Sequence, residues 1–267
     1  MHGLAGLFPV DMDPGTLAFR CNICGGDCQT DLTKLIRETV SCDVCGSTTR
    51  RRAIIRALTV ELFGKSLALP DVPKRSDIKG LGMTDWIDYA PRLAEKFDYR
   101  NTFYHQEPKL DISDPKLARN LIDSSDFIIS SDVFEHVVPP ISRAFKNVWK
   151  ILRSGGVFIL TVPYGPLPKT IEHFPDLNDF TLIKKDTSYV LRNITESGTI
   201  QEFDQLVFHG GPGSVLEMRV FSEADLLQHL RDAGFEDIKV YQTPDFFHGI
   251  WWPQPWSLPM SARKPKV

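Results

Sequence analysis

Two cysteine pairs near the amino terminus have the spacing of a metal site. Cys21 and Cys24 form one C-x-x-C pair, and Cys42 and Cys45 form a second pair, with seventeen residues between the two pairs. Each pair on a tight turn directs two thiolates to one point, and four thiolates complete the tetrahedral coordination of zinc. Because four thiolates leave no open coordination position, the spacing predicts a structural Zn²⁺ site. Cys28 is interpreted as a spare thiol.

Three histidines and one tyrosine are candidates for proton transfer. His136 follows an acid-rich segment, His173 lies in EHFP, His209 lies in FHGG, and Tyr164 lies in the sequence TVPY. Imidazole is the side chain best suited to accept a proton at neutral pH, and it suits a general base. A structural hydrogen bond is the alternative interpretation for each histidine.

The segment Asp126–Tyr164 predicts the elements that position these residues. The apolar run Phe127–Ile129 indicates a buried strand, and Val157–Val162 indicates a second one. Between them an amphipathic helix carries Ile141, Ala144, Phe145, Val148, Trp149 and Leu152 on one face. We expect Gly155-Gly156 to end that helix. A strand, a helix and a strand form a right-handed parallel unit, and ligands bind beyond the carboxyl ends of such strands. This places Ser130–His136 at the mouth of a site.

The same segment resembles a known enzyme family. SSDVFEHV and WKILRSGGVFILTVP are similar to the second half of class I S-adenosylmethionine-dependent methyltransferases, whose fourth motif ends in Glu-His. The resemblance implies an α/β fold with a Rossmann-like, doubly wound sheet, mostly parallel with an antiparallel last strand. It also implies an S-adenosylmethionine-dependent methyltransferase.

The resemblance further implies where the methionine part of the cofactor binds. IKGLGMTDW stands where the family has an acid followed by G-x-G-x-G. Gly80 and Gly82 are present, Thr84 takes the place of the third glycine, and Ile78 stands where the acid is expected. We interpret the glycines as removing Cβ atoms from the cofactor's path. Thr84 is expected to cap the next helix, and its amides are expected to hold an anion.

Other cofactor contacts follow from the same resemblance. Gln106 or Glu107 is the candidate for the two ribose hydroxyls, and Asp111-Ile112 resembles the motif that receives the adenine amino group. The alternative for Asp111 is a turn cap before Asp114. Ser131 completes the predicted cofactor set.

Asp132, Glu135 and His136 allow a second metal hypothesis. Their order resembles the metal-binding signature of some quinone-pathway O-methyltransferases, and a hard cation such as Mg²⁺ would polarise an acceptor hydroxyl there. The alternative is that Glu-His only caps and packs the helix.

The chain divides into three predicted regions. Residues 1–63 form a zinc-binding ribbon or knuckle with a trailing helix, residues 64–76 form a linker, and residues 77–267 form the methyltransferase domain. Within that domain, residues 163–221 form an insertion that we expect to act as a lid on the substrate side, over the methyl group. The alternative is that the hairpin in this insertion makes a homodimer contact.

Composition and charge bear on the partners. The net charge is −3, and Arg50, Arg51, Arg52 and Arg56 cluster near one helix start. These arginines either contact an anion or RNA, or they form a solvated face or ion pairs with the main domain, and the balance of charges favours the second interpretation. We therefore expect a small-molecule acceptor, such as a sugar or natural-product hydroxyl, and no nucleic acid. The alternatives are an RNA methyltransferase whose zinc module reads the nucleic acid, and a non-catalytic methyltransferase-like binding protein.

The sequence also predicts the compartment. No apolar run approaches the length that spans a bilayer, and the amino terminus lacks the pattern of a signal peptide. We expect a cytoplasmic protein without membrane contact.

Overall fold

A unit of two strands and one helix precedes the main sheet. In the computed structural model, which describes residues 15–266, the unit comprises an antiparallel pair, β1 (Thr16–Arg20) and β2 (Asp27–Asp31), and α1 (Thr49–Phe63). Residues 1–14 of the predicted module lie outside the described residues. The side chain of Thr48, the residue before α1, accepts the amide of Arg51.

The next six elements build the parallel part of the sheet. They are β3 (Arg75–Met83), α2 (Ala90–Lys96), β4 (Phe97–Thr102), β5 (Ser125–Ser131), α3 (Ser142–Ile151) and β6 (Leu152–Thr161). Strand β3 pairs in parallel with both β4 and β5, and β5 pairs in parallel with β6. The predicted strand–helix–strand unit is therefore confirmed. Its carboxyl ends, and those of β3 and β4, form what we call the carboxyl edge of the sheet.

The glycine pair after α3 has a different role from the predicted one. Helix α3 ends at Ile151 and β6 begins at the next residue, so Gly155-Gly156 lies inside the strand. Gly155 has a φ of 77°, and the register between β5 and β6 shifts in this region. The glycines therefore form an irregularity in the strand, where the backbone requires a conformation that side chains disfavour.

The insertion is rich in short strands. They are β7 (Tyr164–Gly165), β8 (Ile171–Glu172), β9 (Asp179–Lys185), β10 (Ser188–Ile194), β11 (Ile200–Phe203), β12 (Phe208–His209), β13 (Val215–Leu216) and β14 (Arg219–Ser222). Strands β9, β10 and β11 form an antiparallel sheet, and β12 pairs with β13. Helix α4 (Glu223–Asp232) follows, and the Ser222 side chain accepts the Asp225 amide at its start.

The last two strands complete the main sheet. They are β15 (Glu236–Val240) and β16 (Met260–Arg263), and the order across the sheet is β15-β16-β6-β5-β3-β4. Strand β16 is antiparallel to both neighbours, as expected for this fold. Among residues 15–266, no helix combines the length and the apolar character that a membrane crossing requires.

Helices cover both faces of the sheet. Consecutive residues of a strand point to opposite faces, so β5 contributes side chains to two separate apolar clusters. Phe127 and Ile129 of β5 pack in one apolar cluster with Ile54 of α1 and Leu17 of β1. Ile128 lies in the other cluster, with residues of α3 and α4. The amino-terminal unit thus packs directly on the sheet.

Candidate active site

The four predicted zinc ligands lie together. We call Cys21, Cys24, Cys42 and Cys45 the cysteine cluster; their sulfur atoms all lie within 4.8 Å of one another. The Sγ atoms of Cys21 and Cys45 are 3.8 Å apart, those of Cys24 and Cys42 3.7 Å, and those of Cys42 and Cys45 3.5 Å. Zinc–sulfur bonds of about 2.3 Å in a tetrahedron separate the sulfurs by about 3.8 Å. The cluster therefore has the dimensions of a zinc–thiolate site.

Each cysteine pair is shaped by the glycine that follows it. The Gly25 amide bonds the Cys21 carbonyl at 2.8 Å, and the Gly46 amide bonds the Cys42 carbonyl at 2.9 Å. The φ angles of Gly25 and Gly46 are 78° and 72°, in the left-handed region. Cys28 lies 3.3 Å from the sulfur of Cys42 but does not belong to the mutually close set of four.

The arginines after the cysteine cluster are paired with acids. Arg50 bonds Glu38 at 2.6 Å, Arg51 bonds Asp88 at 3.2 Å, and Arg56 lies 3.7 Å from Asp245. Arg52 is fully buried and donates to the backbone carbonyls of His248, Gly249 and Ser47. This confirms the ion-pair interpretation over a free basic face.

Two arginines reach the carboxyl edge and bind Asp132. Arg37 bonds both oxygens of Asp132, at 2.6 and 2.8 Å, and Arg50 lies 3.3 Å from the same carboxylate. Burial opposes ionisation of Asp132, but the guanidinium groups outweigh it and lower its pKa to about 2. Arg50 also bonds the hydroxyl of Ser131. Since Asp132 is occupied by arginines, the predicted Mg²⁺ set of Asp132, Glu135 and His136 is not formed.

Gly80 and Gly82 lie inside β3, where they make room for the chain's own side chains. A Cβ atom on Gly82 would lie 2.0 Å from the hydroxyl of Tyr99 and 2.3 Å from Asp85, and one on Gly80 would lie 2.1 Å from the ring of Phe127. From the sequence, we interpret these glycines as clearing a path for the cofactor. The space beside them is instead filled by the side chains of Tyr99, Asp85 and Phe127. Asp85 accepts hydrogen bonds from Tyr89 and Tyr99, and its burial raises its pKa to about 7.

Thr84 differs from its predicted role. Helix α2 begins at Ala90, so Thr84 does not cap it. The Thr84 amide donates to the Thr102 carbonyl at 2.7 Å, and the Asp85 amide donates to Asn101 at 2.9 Å, so neither holds an anion here. Thr84 has a φ of 59°, the left-handed conformation that a glycine at this position adopts without strain.

The loop after β4 carries the other predicted cofactor residues. Gln106 and Glu107 are exposed, and Glu107 accepts the Lys109 amide at 3.0 Å. One oxygen of Asp111 accepts the amide and the hydroxyl of Ser113, so Asp111 caps this turn; its contact with the adenine stays a prediction. Ile112 is buried in the core cluster of α3.

Three predicted histidines converge at the carboxyl edge. His173 and His209 each bond one oxygen of Glu217 through Nε2, both at 2.9 Å. The rings of His136 and His209 meet edge to face with centroids 4.7 Å apart. Adding Glu135, whose oxygen lies 3.6 Å from His136, we call these five residues the histidine–glutamate cluster.

The insertion holds this cluster against the turn after β5. Nδ1 of His136 donates to the Leu216 carbonyl at 2.9 Å, and the Met218 amide donates to the Glu135 carbonyl at 2.8 Å. Arg219, fully buried, donates to the carbonyls of Phe134 and Val137 at 2.7 and 2.6 Å. The segment between β13 and β14, which carries Glu217, is thus fastened to the turn that carries Glu135 and His136.

Burial shifts the pKa values of two residues of the cluster, Glu135 and His136. It raises the pKa of Glu135 well above its usual value, and the charge of Asp132 acts in the same direction. Burial also lowers the pKa of His136, so this imidazole is neutral at pH 7.

Tyr164 lies apart from these histidines. Its backbone amide and carbonyl both bond the hydroxyl of Ser257, and in residues 15–266 no hydrogen bond or ring contact joins it to the cluster. Sequence reasoning missed Glu217, for which the only signal is a single acid inside the run VLEMRVF.

Comparison with known proteins bears on the enzyme class. Residues 87–160 match the methyltransferase domain. This confirms the predicted enzyme class, a methyltransferase that uses S-adenosylmethionine. The match begins after β3 and ends one residue before the end of β6, so it covers the Glu-His turn and leaves out Gly80 and Gly82.

Solved structures provide a second comparison. A Clostridium acetobutylicum S-adenosylmethionine-dependent methyltransferase is 14% identical, with a TM-score of 0.44, covering 83% of this chain and 93% of its own. The sugar N-methyltransferase KedS8 from Streptoalloteichus is 15% identical, with a TM-score of 0.46, covering 83% and 90%. A Burkholderia thailandensis 1,6-didemethyltoxoflavin-N1-methyltransferase is 15% identical, with a TM-score of 0.40, covering 82% and 80%. No curated protein matches the chain.

Proposed function

We propose that this chain transfers a methyl group from S-adenosylmethionine to a hydroxyl group of a small molecule, such as a sugar or natural product. The observation that carries the proposal is the histidine–glutamate cluster at the carboxyl edge of the sheet. A hydroxyl must lose its proton as it attacks the methyl group, so the site needs a neutral, oriented base.

The cluster supplies two imidazoles that hydrogen bonds hold in a fixed orientation. Glu217 accepts the Nε2 proton of His209, which leaves Nδ1 of His209 free to take a proton from an acceptor. The Leu216 carbonyl fixes His136 in the opposite tautomer, with Nε2 free. Fixing a base by a hydrogen bond to its other nitrogen is how histidine is oriented in nucleophilic catalysis.

A cavity beside this turn fits a polar acceptor. It measures about 570 Å³ and lies between Pro139-Pro140, just after the cluster's turn, and the hairpin of the insertion. Polar side chains line much of it, namely Asp176, Asn178, Thr195, Glu196, Ser197, Thr199 and Gln201. Hydroxyl, amide and carboxylate groups suit a ligand with several hydroxyls, and this volume is typical of small-molecule sites. The cavity supports the sugar-like acceptor and the lid role of residues 163–221.

The residues for the cofactor fit best on the side of β4 and β5. Glu107 is exposed, Asp111 has an oxygen outside its turn bonds, and Ser130 at the end of β5 has a buried hydroxyl without a partner in residues 15–266. Trp86 and Tyr104 expose 45% and 52% of their surface just beyond β3 and β4, where an adenine ring would stack. We propose that Gln106 or Glu107 holds the ribose, and that Asp111 and Ile112 hold the adenine. Ser131, the last residue of β5, is the remaining proposed cofactor contact. Gly80 and Gly82, in the last part of β3, and Thr84, just after it, supply the backbone beneath the cofactor.

When bound, S-adenosylmethionine supplies the activated methyl group, so the protein's task is alignment and proton removal. We propose that the cysteine cluster holds one structural Zn²⁺. This ion would fix the loop that carries Arg37. Arg37 in turn bonds Asp132, which lies beside the turn that carries Glu135 and His136.

Calorimetry with S-adenosylhomocysteine tests the cofactor assignment directly. We expect saturable binding that weakens at least tenfold in Asp111→Ala, with the exposed residue Asp114 as the matched control in Asp114→Ala. Mass spectrometry after incubation with S-adenosylmethionine and glycosides should then show methylated products, which His209→Ala reduces. No heat with the cofactor product, or methylation of RNA in place of the glycosides, would refute the proposal.

A further inference from the structure

We propose that Glu135, His136 and His209 bind a divalent transition-metal ion at the carboxyl edge, separate from the cysteine cluster. One ligand atom from each residue lies within 4.8 Å of the others, and Glu135 Oε1 is 3.6 Å from His136 Nε2. In a tetrahedral site with bonds of about 2.1 Å, ligand atoms lie about 3.4 Å apart. The side chains therefore need only a small movement to close around an ion.

Both histidines already present a lone pair. A carbonyl oxygen only accepts, so the bond from His136 to Leu216 places the proton on Nδ1 and leaves Nε2 for the ion. His209 bonds the carboxylate of Glu217 through Nε2, which leaves Nδ1. A histidine that ligates a metal almost always donates its other N–H to a carboxylate or carbonyl, as both do here.

Glu135 provides independent support. Its side chain is 0% exposed, and neither carboxylate oxygen has a hydrogen-bond partner within residues 15–266. A buried carboxylate without a partner is costly, and a cation would remove that cost. The nearby arginines do not serve this purpose, because Arg37 and Arg50 bond Asp132 instead.

The donor atoms select the class of ion. Two imidazole nitrogens and one carboxylate suit Zn²⁺, Mn²⁺, Fe²⁺ or Co²⁺, whereas Mg²⁺ and Ca²⁺ prefer oxygen ligands throughout. Three protein ligands leave a fourth position open, and the His209 side chain is 38% exposed, so that position faces solvent. If the proposed methyl transfer is correct, the acceptor hydroxyl would occupy that position and lose its proton to solvent, because His136 and His209 would then act as ligands of the ion in place of bases.

Zinc titration of metal-free protein by calorimetry tests the site. Wild type should bind two equivalents per chain, one at the cysteine cluster and one here. We expect His209→Ala and Glu135→Gln each to bind only one equivalent of zinc tightly, because the affinity for the second equivalent should fall more than 100-fold. Glu217→Gln should weaken the second equivalent by about 10–100-fold, because it only orients His209. His173→Ala is the matched control: it removes a histidine bonded to the same Glu217 and should keep both equivalents.

Cobalt distinguishes the two sites. Co²⁺ at thiolates gives intense charge-transfer absorption, whereas Co²⁺ at histidine and glutamate gives only weak d–d bands. His209→Ala and Glu135→Gln should lose the weak bands and keep the charge-transfer band, with unchanged circular dichroism. One equivalent in wild type, or two in both Glu135→Gln and His209→Ala, would overturn the site. Binding of S-adenosylhomocysteine without a second metal overturns only this inference, and a second metal without cofactor binding overturns only the proposed function.

Discussion

At the scale of single residues, the surroundings of Asp85 change the pKa of its carboxyl group. Its carboxyl group is buried between the hydroxyls of Tyr89 and Tyr99, just after the end of β3. Burial raises its pKa to about 7 even though both tyrosines donate to it. The folded state therefore holds a proton on Asp85 at pH values where the unfolded chain, with a pKa near 3.8, does not.

This gives a pH-dependent prediction. Because the pKa of Asp85 is raised on folding, its contribution is most favourable below pH 3.8 and is lost as the pH rises to about 7. Asp85→Asn removes the titrating group. The melting temperature of the variant minus that of wild type should therefore increase from pH 5 to pH 7 and level off above it. A difference that stays constant from pH 5 to pH 8 would contradict the raised pKa.

Gly82 gives a second prediction at the residue scale. A methyl group there meets Tyr99 and Asp85, so Gly82→Ala should destabilise the fold by about 1–3 kcal/mol, measured by urea unfolding. Adding Tyr99→Phe, which removes one clashing hydroxyl, should restore part of this loss. If Gly82→Ala keeps full stability but loses cofactor affinity, the glycine clears space for the cofactor after all.

These residues also show where sequence reasoning ends. The sequence reveals that Gly82 lacks a Cβ atom, but not that Tyr99, seventeen residues later, fills the space. It identifies His173 and His209 as candidate catalytic residues, because a histidine next to proline or glycine can be recognised from its immediate neighbours in the sequence. It does not reveal that Glu217 joins them, since that contact depends on how the insertion folds back.

At the scale of elements, the insertion is attached to the sheet by one short segment. Strand β14 and the residues before it donate to carbonyls on both sides of Glu135 and His136. Arg219 makes the decisive contacts and also bonds Glu172 at 2.8 Å. The position of the histidine–glutamate cluster therefore depends on this attachment.

Removing the attachment should loosen the insertion. Arg219→Met keeps the length of the side chain but leaves two carbonyls and Glu172 without their donor, which should cost about 3 kcal/mol. Limited proteolysis should then cut within residues 163–221 faster than in wild type. Arg192→Met, at an exposed position of the same insertion, is the control and should not change the cutting rate. Equal rates in all three proteins would contradict the role of Arg219.

The elements themselves were largely predictable, because hydrophobic periodicity is a local signal. Strands β5 and β6 and helix α3 lie where their apolar patterns place them. The boundary at Gly155-Gly156 was wrong because a glycine pair fits a helix end and a strand irregularity equally well. Only the pairing with β5 distinguishes the two.

At the scale of the whole molecule, the amino-terminal unit braces the carboxyl edge. Arg37 and Arg50 come from this unit, and both bond residues at the end of β5 or just after it. The side chain of Arg37 also donates to the Ser257 carbonyl. The proposed zinc would therefore stabilise the carboxyl edge indirectly, because it would fix the positions of Arg37 and Arg50.

Loss of zinc should reach the rest of the fold. Cys42→Ser removes one of the four thiolates, so zinc content should fall and the melting temperature should drop by more than about 5 °C. Cys28→Ser is the control, because Cys28 is not among the mutually close sulfurs, and it should keep both zinc content and stability. Zinc content that is unchanged in Cys42→Ser, or lost in Cys28→Ser, would show that the ligand set is different.

The buried Arg52 has a consequence for the order in which the chain folds during synthesis. Its guanidinium group is satisfied by the carbonyls of His248 and Gly249, which leave the ribosome almost two hundred residues later. Until then this charge cannot be enclosed, so the amino-terminal unit cannot reach its final packing while translation continues. Completion of the amino-terminal unit thus waits for a loop that is made almost two hundred residues later, and a nascent chain arrested before His248 should remain open to proteases around α1.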